Sequence, residues 1–339
     1  MHTVYHREHN RLAGLVAAKN PDWSDEEIFQ TARKLNIAQY QRTIFAEYLP
    51  EIIRGLKVPK YTGYKKNTEA GTSIEFATGA FRYGHSTAAP YKLLNKDRQP
   101  VCFAIPPGTP FPPGTTNELP FAGQLGGGFT VHVAYASAGG PQNIFRGIVD
   151  TPADKPDLKV NDVVRNVRLS VLTGAGVDIF TSDIVRGRET GLPLYYELRE
   201  KFYKGSRKAK ICNKKDVGSI ECFLEINADP EVAAALQEIY GEVTAIDGVI
   251  GLLAEDKEDA GEYLPRTAAA IILDEYVRSR DGDRFWYEQD GYLSQQEVDI
   301  IGNRRFVDII RENFPDVEVS DNAFTPPPGA NPNFGAVCP

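Results

Sequence analysis

Apolar residues recur at helical spacing over much of the chain and strictly alternating runs are few, so the pattern predicts a mainly α fold. Residues 1–56 read as two helices. The first runs from His2 to about Ala18, with Leu12, Leu15 and Val16 among polar residues, and stops at the Asn20-Pro21 break. Ser24 stands three residues before Glu27, the spacing of a capping box. It opens a long helix whose inward face is Ile28, Ala32, Leu35, Ile44, Tyr48 and Ile52. Pro50 removes a backbone donor late in that pattern and should kink or end the helix.

Residues 55–80 carry no clear period, and a short helical stretch over 80–94 is interrupted by Pro90. Residues 96–145 are rich in glycine and proline (Pro106-Pro107-Gly108, Pro112-Pro113-Gly114, Gly126-Gly127-Gly128) and read as a long surface excursion. Its glycine run at 124–128 lacks the strand–glycine–helix context of a phosphate loop. Helices are expected again after Asp162. Asp229-Pro230 caps one over 231–240, and others cover 267–278 and 294–301, the last with a capping box from Ser294 to Glu297. The Pro/Gly-rich stretch 321–339 reads as a disordered tail, leaving 1–320 as one domain.

Composition narrows the function classes. The chain has 339 residues, 42% apolar and 10% aromatic, enough for a large core. A net charge of −8 argues against nucleic acid as a partner, since a phosphate-binding face needs excess Lys and Arg. No apolar run approaches the roughly 20 residues of a transmembrane helix. Residues after Met1 lack the apolar run of a signal peptide. Cys102 and Cys338 stand alone, whereas Cys212 and Cys222 are close enough to close a local loop; the spacing leaves that bridge open.

The histidines are His2, His6, His9, His85 and His132. The first three can share one helical face, but the stretch is not H-E-x-x-H, so packing against a neighbouring segment is the expected role rather than zinc binding. His85 lies in Ala80-Phe81-Arg82-Tyr83-Gly84-His85. A single histidine among aromatics is usually a satisfied core residue; the sharper reading is an axial haem ligand. That reading needs a partner for the second ring nitrogen and cations for the propionates. Arg82 lies one turn away, and Asp183, Arg186 and Arg188 are further candidates; spacing alone does not say whether these segments meet.

Several blocks resemble one family. Arg7-Glu8-His9-Asn10-Arg11-Leu12-Ala13 resembles the REHNRLA helix of animal haem peroxidases. The segment 80–85 resembles the block with the family's proximal histidine. Gly176-Val177-Asp178-Ile179, Arg186-Gly187-Arg188 and Gly191-Leu192-Pro193-Leu194-Tyr195 are similar to a third block, and 280–288 to the family's RDGDRFWYE. The resemblance implies a mainly helical fold around a buried haem b, with long Gly/Pro-rich loops. His85 would be the proximal iron ligand, Asp183 the acceptor for its ring N–H, and Arg82 and Arg186 the propionate contacts. The implied activity is peroxide-dependent oxidation of a small donor such as a halide, thiocyanate or phenol, in a secreted protein that responds to oxidative stress. Segment 280–288 is expected to be an interlocked charged turn.

The sequence departs from the family in two ways. Asp183 stands where the family usually has Asn, and Glu189-Thr190 replaces Asp-His. The family's distal histidine, distal arginine and calcium loop precede the REHNRLA helix, which begins here at residue 7. The resemblance therefore implies a chain without its distal half, an internal Met1, a calcium site elsewhere and weak activity alone. Two rival readings remain. A fatty-acid oxygenase of the same superfamily would place a tyrosine three residues before the proximal histidine, where this chain has Arg82. A peroxidase-like module could instead have lost catalysis and act in adhesion.

Overall fold

Helices His2–Lys19 and Asp25–Thr43 form where the apolar spacing and the capping box put them. The Glu27 N–H donates to Ser24 Oγ, and the Glu27 carboxylate accepts from the Ser24 N–H at 2.8 Å, so two end donors are satisfied reciprocally. The second helix does not run unbroken to residue 52. It widens into a π turn, Ile44–Tyr48, then continues as Leu49–Ile52, with Pro50 in the first turn of that last piece. The computed structural model describes residues 1–89, 94–99, 140–165, 167–168, 176–203, 210–212 and 216–330. Among these the fold is mainly helical, with one short antiparallel pairing of Val167–Arg168 and Gly176–Val177.

The largest buried cluster joins Leu49, Ile53, Ala80 and Tyr83 to Tyr195, Leu198, Phe223, Leu252 and Ile271. Helices Tyr195–Phe202, Gly248–Ala254 and Arg266–Asp281 supply much of its wall. Every residue of Gly248–Ala254 is buried, and a helix with no solvent face has no polar period to betray it in the sequence. A Cβ on Gly251 would overlap the Tyr195 ring. Gly251→Ala is therefore expected to cost about 1–3 kcal/mol through overpacking, read as a lower Tm by calorimetry. An unchanged Tm would mean the two helices can part freely.

The first helix is clasped to segment 304–314. Glu8 is fully buried; Arg11 donates to both its oxygens at 2.8 Å, Asn313 Nδ2 donates at 2.8 Å and Arg304 at 3.1 Å. Arg7 donates to the Asn313 carbonyl at 3.0 Å and lies 4.2 Å over the Phe314 ring. Burial raises the Glu8 carboxyl, but the Arg11 and Asn313 hydrogen bonds and the Arg304 charge outweigh it and hold the group below its ordinary value. A depressed folded value contributes stability above the unfolded value, about 4.3, and that stability is lost as pH falls through the folded value. Acid unfolding followed by circular dichroism should thus be shallower in Glu8→Gln. An identical acid limb would remove Glu8 from the linkage.

Segment 280–288 locks onto the body. Arg280 pairs with Asp281 at 2.8 Å and donates to the Pro59 carbonyl, Lys65 reaches Asp281 at 2.6 Å, and Gln41 bonds both Asp283 and the Tyr287 N–H.

Elsewhere the structure corrects the pattern. Within the helical stretch expected over 80–94, the helix Tyr83–Ser86 ends ahead of Pro90, and residues 90–93 lie outside the described residues. Within the excursion expected to 145, Pro141–Asp150 is a helix. Gly140, at φ 95°, turns the chain, and Pro141 then fits the first helical turn, where its missing N–H has no partner to lose. Residues 321–330, expected as the start of a loose tail, fold back: Asn322 Nδ2 donates to Glu51 at 2.6 Å and Phe324 stacks 5.7 Å from Phe306. Cys212 and Cys222 are bridged, their Cα atoms 5.1 Å apart. Cys102, Cys338, His132, the 124–128 glycine run and 331–339 lie outside the described residues. No helix among the described residues is long and apolar enough to cross a membrane.

Candidate functional site

His85 sits on a segment that changes helical winding twice. Glu75–Gly79 is a π turn, Ala80–Arg82 is 3-10, and Tyr83–Ser86 is α-helical. Gly79 packs closely where the first change occurs: a Cβ there would press on Leu192 and Leu252 at 3.2 and 3.4 Å. Ser86 pins the other end. Its hydroxyl donates to the Asp157 carbonyl at 2.5 Å and accepts from the Asp157 N–H at 3.0 Å. The segment is thus fixed on both sides of His85, whose side chain stays 30% exposed.

Asp183 comes from the helix Ile179–Thr190. Asp178 caps its start by accepting from the Thr181 N–H at 2.9 Å, and Gly191, left-handed at φ 74°, ends it. Asp183 is buried, and its Oδ2 lies 2.5 Å from His85 Nδ1. Its other oxygen lies 3.7 Å from Arg82 Nε, which donates to the Ala77 carbonyl at 2.8 Å. A carboxylate acceptor fixes the tautomer with the proton on Nδ1 and turns the Nε2 lone pair outward. Among the described residues no hydrogen bond to Nε2 is formed.

The structure therefore brings His85, Asp183 and Arg82 together across 98 residues of sequence. It gives Arg82 a role that spacing had not suggested, as counter-charge to Asp183. Arg186 stands three residues beyond Asp183 on the same helix and is exposed. Arg188 points away from this group and pairs with Asp247 at 2.7 Å, where Tyr240 also donates. His2 and His6 are exposed, and His9 packs edge-on against Phe29 at 5.2 Å. Among the described residues no cluster of His, Cys, Asp and Glu could hold a bare metal ion.

A one-sided imidazole donor, backed by a buried carboxylate with Arg82 beside it, suits a planar anionic cofactor that carries its own iron. The animal haem peroxidase family model matches residues 1–324. The chain belongs to that family. It is 32% identical over 288 residues to Peroxinectin A of Dictyostelium discoideum, covering 85% of this chain and 48% of that protein. It is 28% identical over 333 residues to Peroxidasin of Drosophila melanogaster, covering 96% of this chain and 20% of that one. Among solved structures, Peroxidase A from Dictyostelium discoideum superposes with a TM-score of 0.76 at 28% identity, over 94% of this chain and 55% of that one. A fatty acid alpha-dioxygenase of Oryza sativa matches with a TM-score of 0.71 at 17% identity, over 95% and 56%, a likeness of fold alone. The chain spans about half the length of Peroxinectin A and Peroxidase A. Family membership implies haem and a peroxidase-type oxidoreductase chemistry.

Sequence reasoning missed one contributor to the site, Ser86, and one neighbour of its segment, Tyr48. Ser86 gave no signal, because its partners lie in an irregular loop some 70 residues on. Tyr48 was read as an inward helix position, yet its hydroxyl lies 2.6 Å from that of Tyr83, two residues from His85.

Proposed function

We propose that His85 binds the iron of a haem b through Nε2, and that the chain is the proximal part of a peroxidase that oxidises a small donor with hydrogen peroxide. The observation that carries this reading is the 2.5 Å contact between His85 Nδ1 and buried Asp183, with no hydrogen bond to Nε2 among the described residues. In this reading Asp183 keeps the proton on Nδ1 and sets the ring plane, while the Ser86 and Gly79 anchors hold the segment against tilting. Arg186 and Arg82 would hold the propionates, Arg82 while also facing Asp183. Haem, when bound, would supply the redox chemistry that couples reduction of peroxide to oxidation of the donor. Acid–base groups for O–O cleavage and a calcium site are not assigned to this chain. An extracellular setting belongs to the same proposal, and the Cys212–Cys222 bridge agrees with an oxidising compartment.

The oxygenase reading is disfavoured by Arg82, which occupies the place three residues before His85 and is tied to Ala77 and Asp183. The test is a titration of the chain with hemin, followed by absorbance and then by peroxide with guaiacol and bromide. A one-to-one complex with a histidine-ligated ferric spectrum is expected, with turnover little above free hemin. The reading would be overturned by a spectrum identical to unbound hemin at saturating protein.

A further inference from the structure

Behind the His85 segment lies a pair of tyrosines that the proposed site does not use. Tyr83 is buried and Tyr48 half-buried, and their hydroxyls are 2.6 Å apart. Tyr83 stands two positions before His85 on one short helix, so its ring leaves the helix on nearly the opposite side from the imidazole. Both rings line a cleft of about 610 Å³, together with Ile52, Tyr263, Ile310 and Phe324. Tyr263 sits edge-on to Tyr83 at 6.2 Å. The cleft is apolar and aromatic with a few polar groups, and its size suits a small organic molecule. It thus adjoins the segment carrying the proposed iron ligand, on the side away from the metal.

We propose that the Tyr48–Tyr83 pair is a one-electron oxidation site for phenolic donors bound in this cleft, separate from the face that His85 presents. The proposal rests on the haem reading above. Tyr83 gives one electron to the haem after its oxidation by peroxide. A buried phenol next to another neutral hydroxyl has no anion to balance a positive charge, so its proton leaves with the electron. That proton passes to Tyr48 Oη while the Tyr48 proton leaves to water in the cleft, and a neutral Tyr83 phenoxyl remains. A phenol in the cleft then returns one electron and one proton through the same two oxygens and departs as its own phenoxyl. Two such passages consume one peroxide: H2O2 and two ArOH give two H2O and two ArO•. Arg54 at the cleft wall is paired with Glu51, so halides find little there and are expected to react at the His85 face.

The test uses the whole chain loaded with hemin and oxidised by peroxyacetic acid, whose better leaving group asks less of an acid catalyst. Absorbance before oxidation reads His85 ligation, so failure of the haem reading is seen first and takes the relay with it. With ligation intact, rapid-freeze electron paramagnetic resonance should show a phenoxyl signal, and spin-trap peptide mapping should place the adduct on Tyr83 or Tyr48. Tyr83→Phe should lose both signal and adduct with the ferric spectrum unchanged. Tyr48→Phe, which removes the proton acceptor, should shift the signal and shorten its life. An adduct confined to other residues, or an undiminished signal in Tyr83→Phe, overturns the relay. Separately, 4-fluorophenol should bind the haem-free chain by fluorine magnetic resonance. Ala153→Trp, at the cleft wall, should weaken it about tenfold. Binding that is absent, or indifferent to Ala153→Trp, overturns the donor site.

Discussion

His85→Ala is expected to abolish axial ligation of hemin by this chain, whereas His9→Ala leaves it intact. The two residues start from similar sequence credentials, each a histidine inside a recognisable block on a helix. Their surroundings separate them. His9 stacks edge-on against Phe29 with no carboxylate fixing its tautomer in the contacts described, so its ring is used in packing. His85 is oriented by Asp183, and its backbone is anchored at Gly79 and Ser86, so its free nitrogen has one direction to point. Losing the donor nitrogen of such a site removes the iron–nitrogen bond itself, an effect far larger than losing an orienting group. Hemin should then bind His85→Ala only as an adventitious hydrophobe. A histidine-ligated ferric spectrum retained in His85→Ala, with circular dichroism unchanged, would sink the assignment. Exogenous imidazole offers a second arm, because a vacated site should accept it and recover part of the ligated spectrum.

What the sequence revealed depended on how local each signal was. The capping boxes at Ser24 and Ser294 were readable because cap and partner are three residues apart, and both form. The helix Gly248–Ala254 was hidden because burial on all sides erases amphipathic period. Pro141–Asp150 was hidden by the glycine and proline before it, which act there as a turn and a helix start instead of a continued loop. Residues 321–330 looked loose by composition, yet Phe324 finds the Tyr48 and Phe306 rings. The site was less legible still. Nothing in spacing joins His85 to Asp183 across 98 residues: the residues alone offered Asp183 only as a candidate beside Arg186 and Arg188, and the family resemblance gave it the acceptor role. The counter-charge role of Arg82 and the Tyr48–Tyr83 pair needed coordinates, since each depends on which side of an irregularly wound segment a side chain leaves.

Asp183→Asn is expected to raise the ferric/ferrous potential of the hemin-loaded chain. A carboxylate accepting the His85 N–H draws the proton toward itself and makes the imidazole more anionic than an amide acceptor would. A more anionic ligand donates more charge to iron and favours the ferric state, which lowers the potential. Replacing the acid with the amide reverses this, and partner changes of this kind alter metal affinity or activity by roughly 10–100-fold. The rival account, in which Asp183 merely neutralises Arg186 or Arg188, is poorly matched by the geometry: Arg188 is spent on Asp247, and the Asp183 contacts are His85 and Arg82. Arg82 supplies the internal control. Its charge, 3.7 Å from the second Asp183 oxygen, withdraws density from the carboxylate, so Arg82→Met should move the potential down while Asp183→Asn moves it up. General damage to the site would shift both variants in one direction. Spectroelectrochemical titration of the wild type and both variants reads the signs directly. An unchanged or lowered potential in Asp183→Asn, with His85 still ligating, would remove Asp183 from the proximal role.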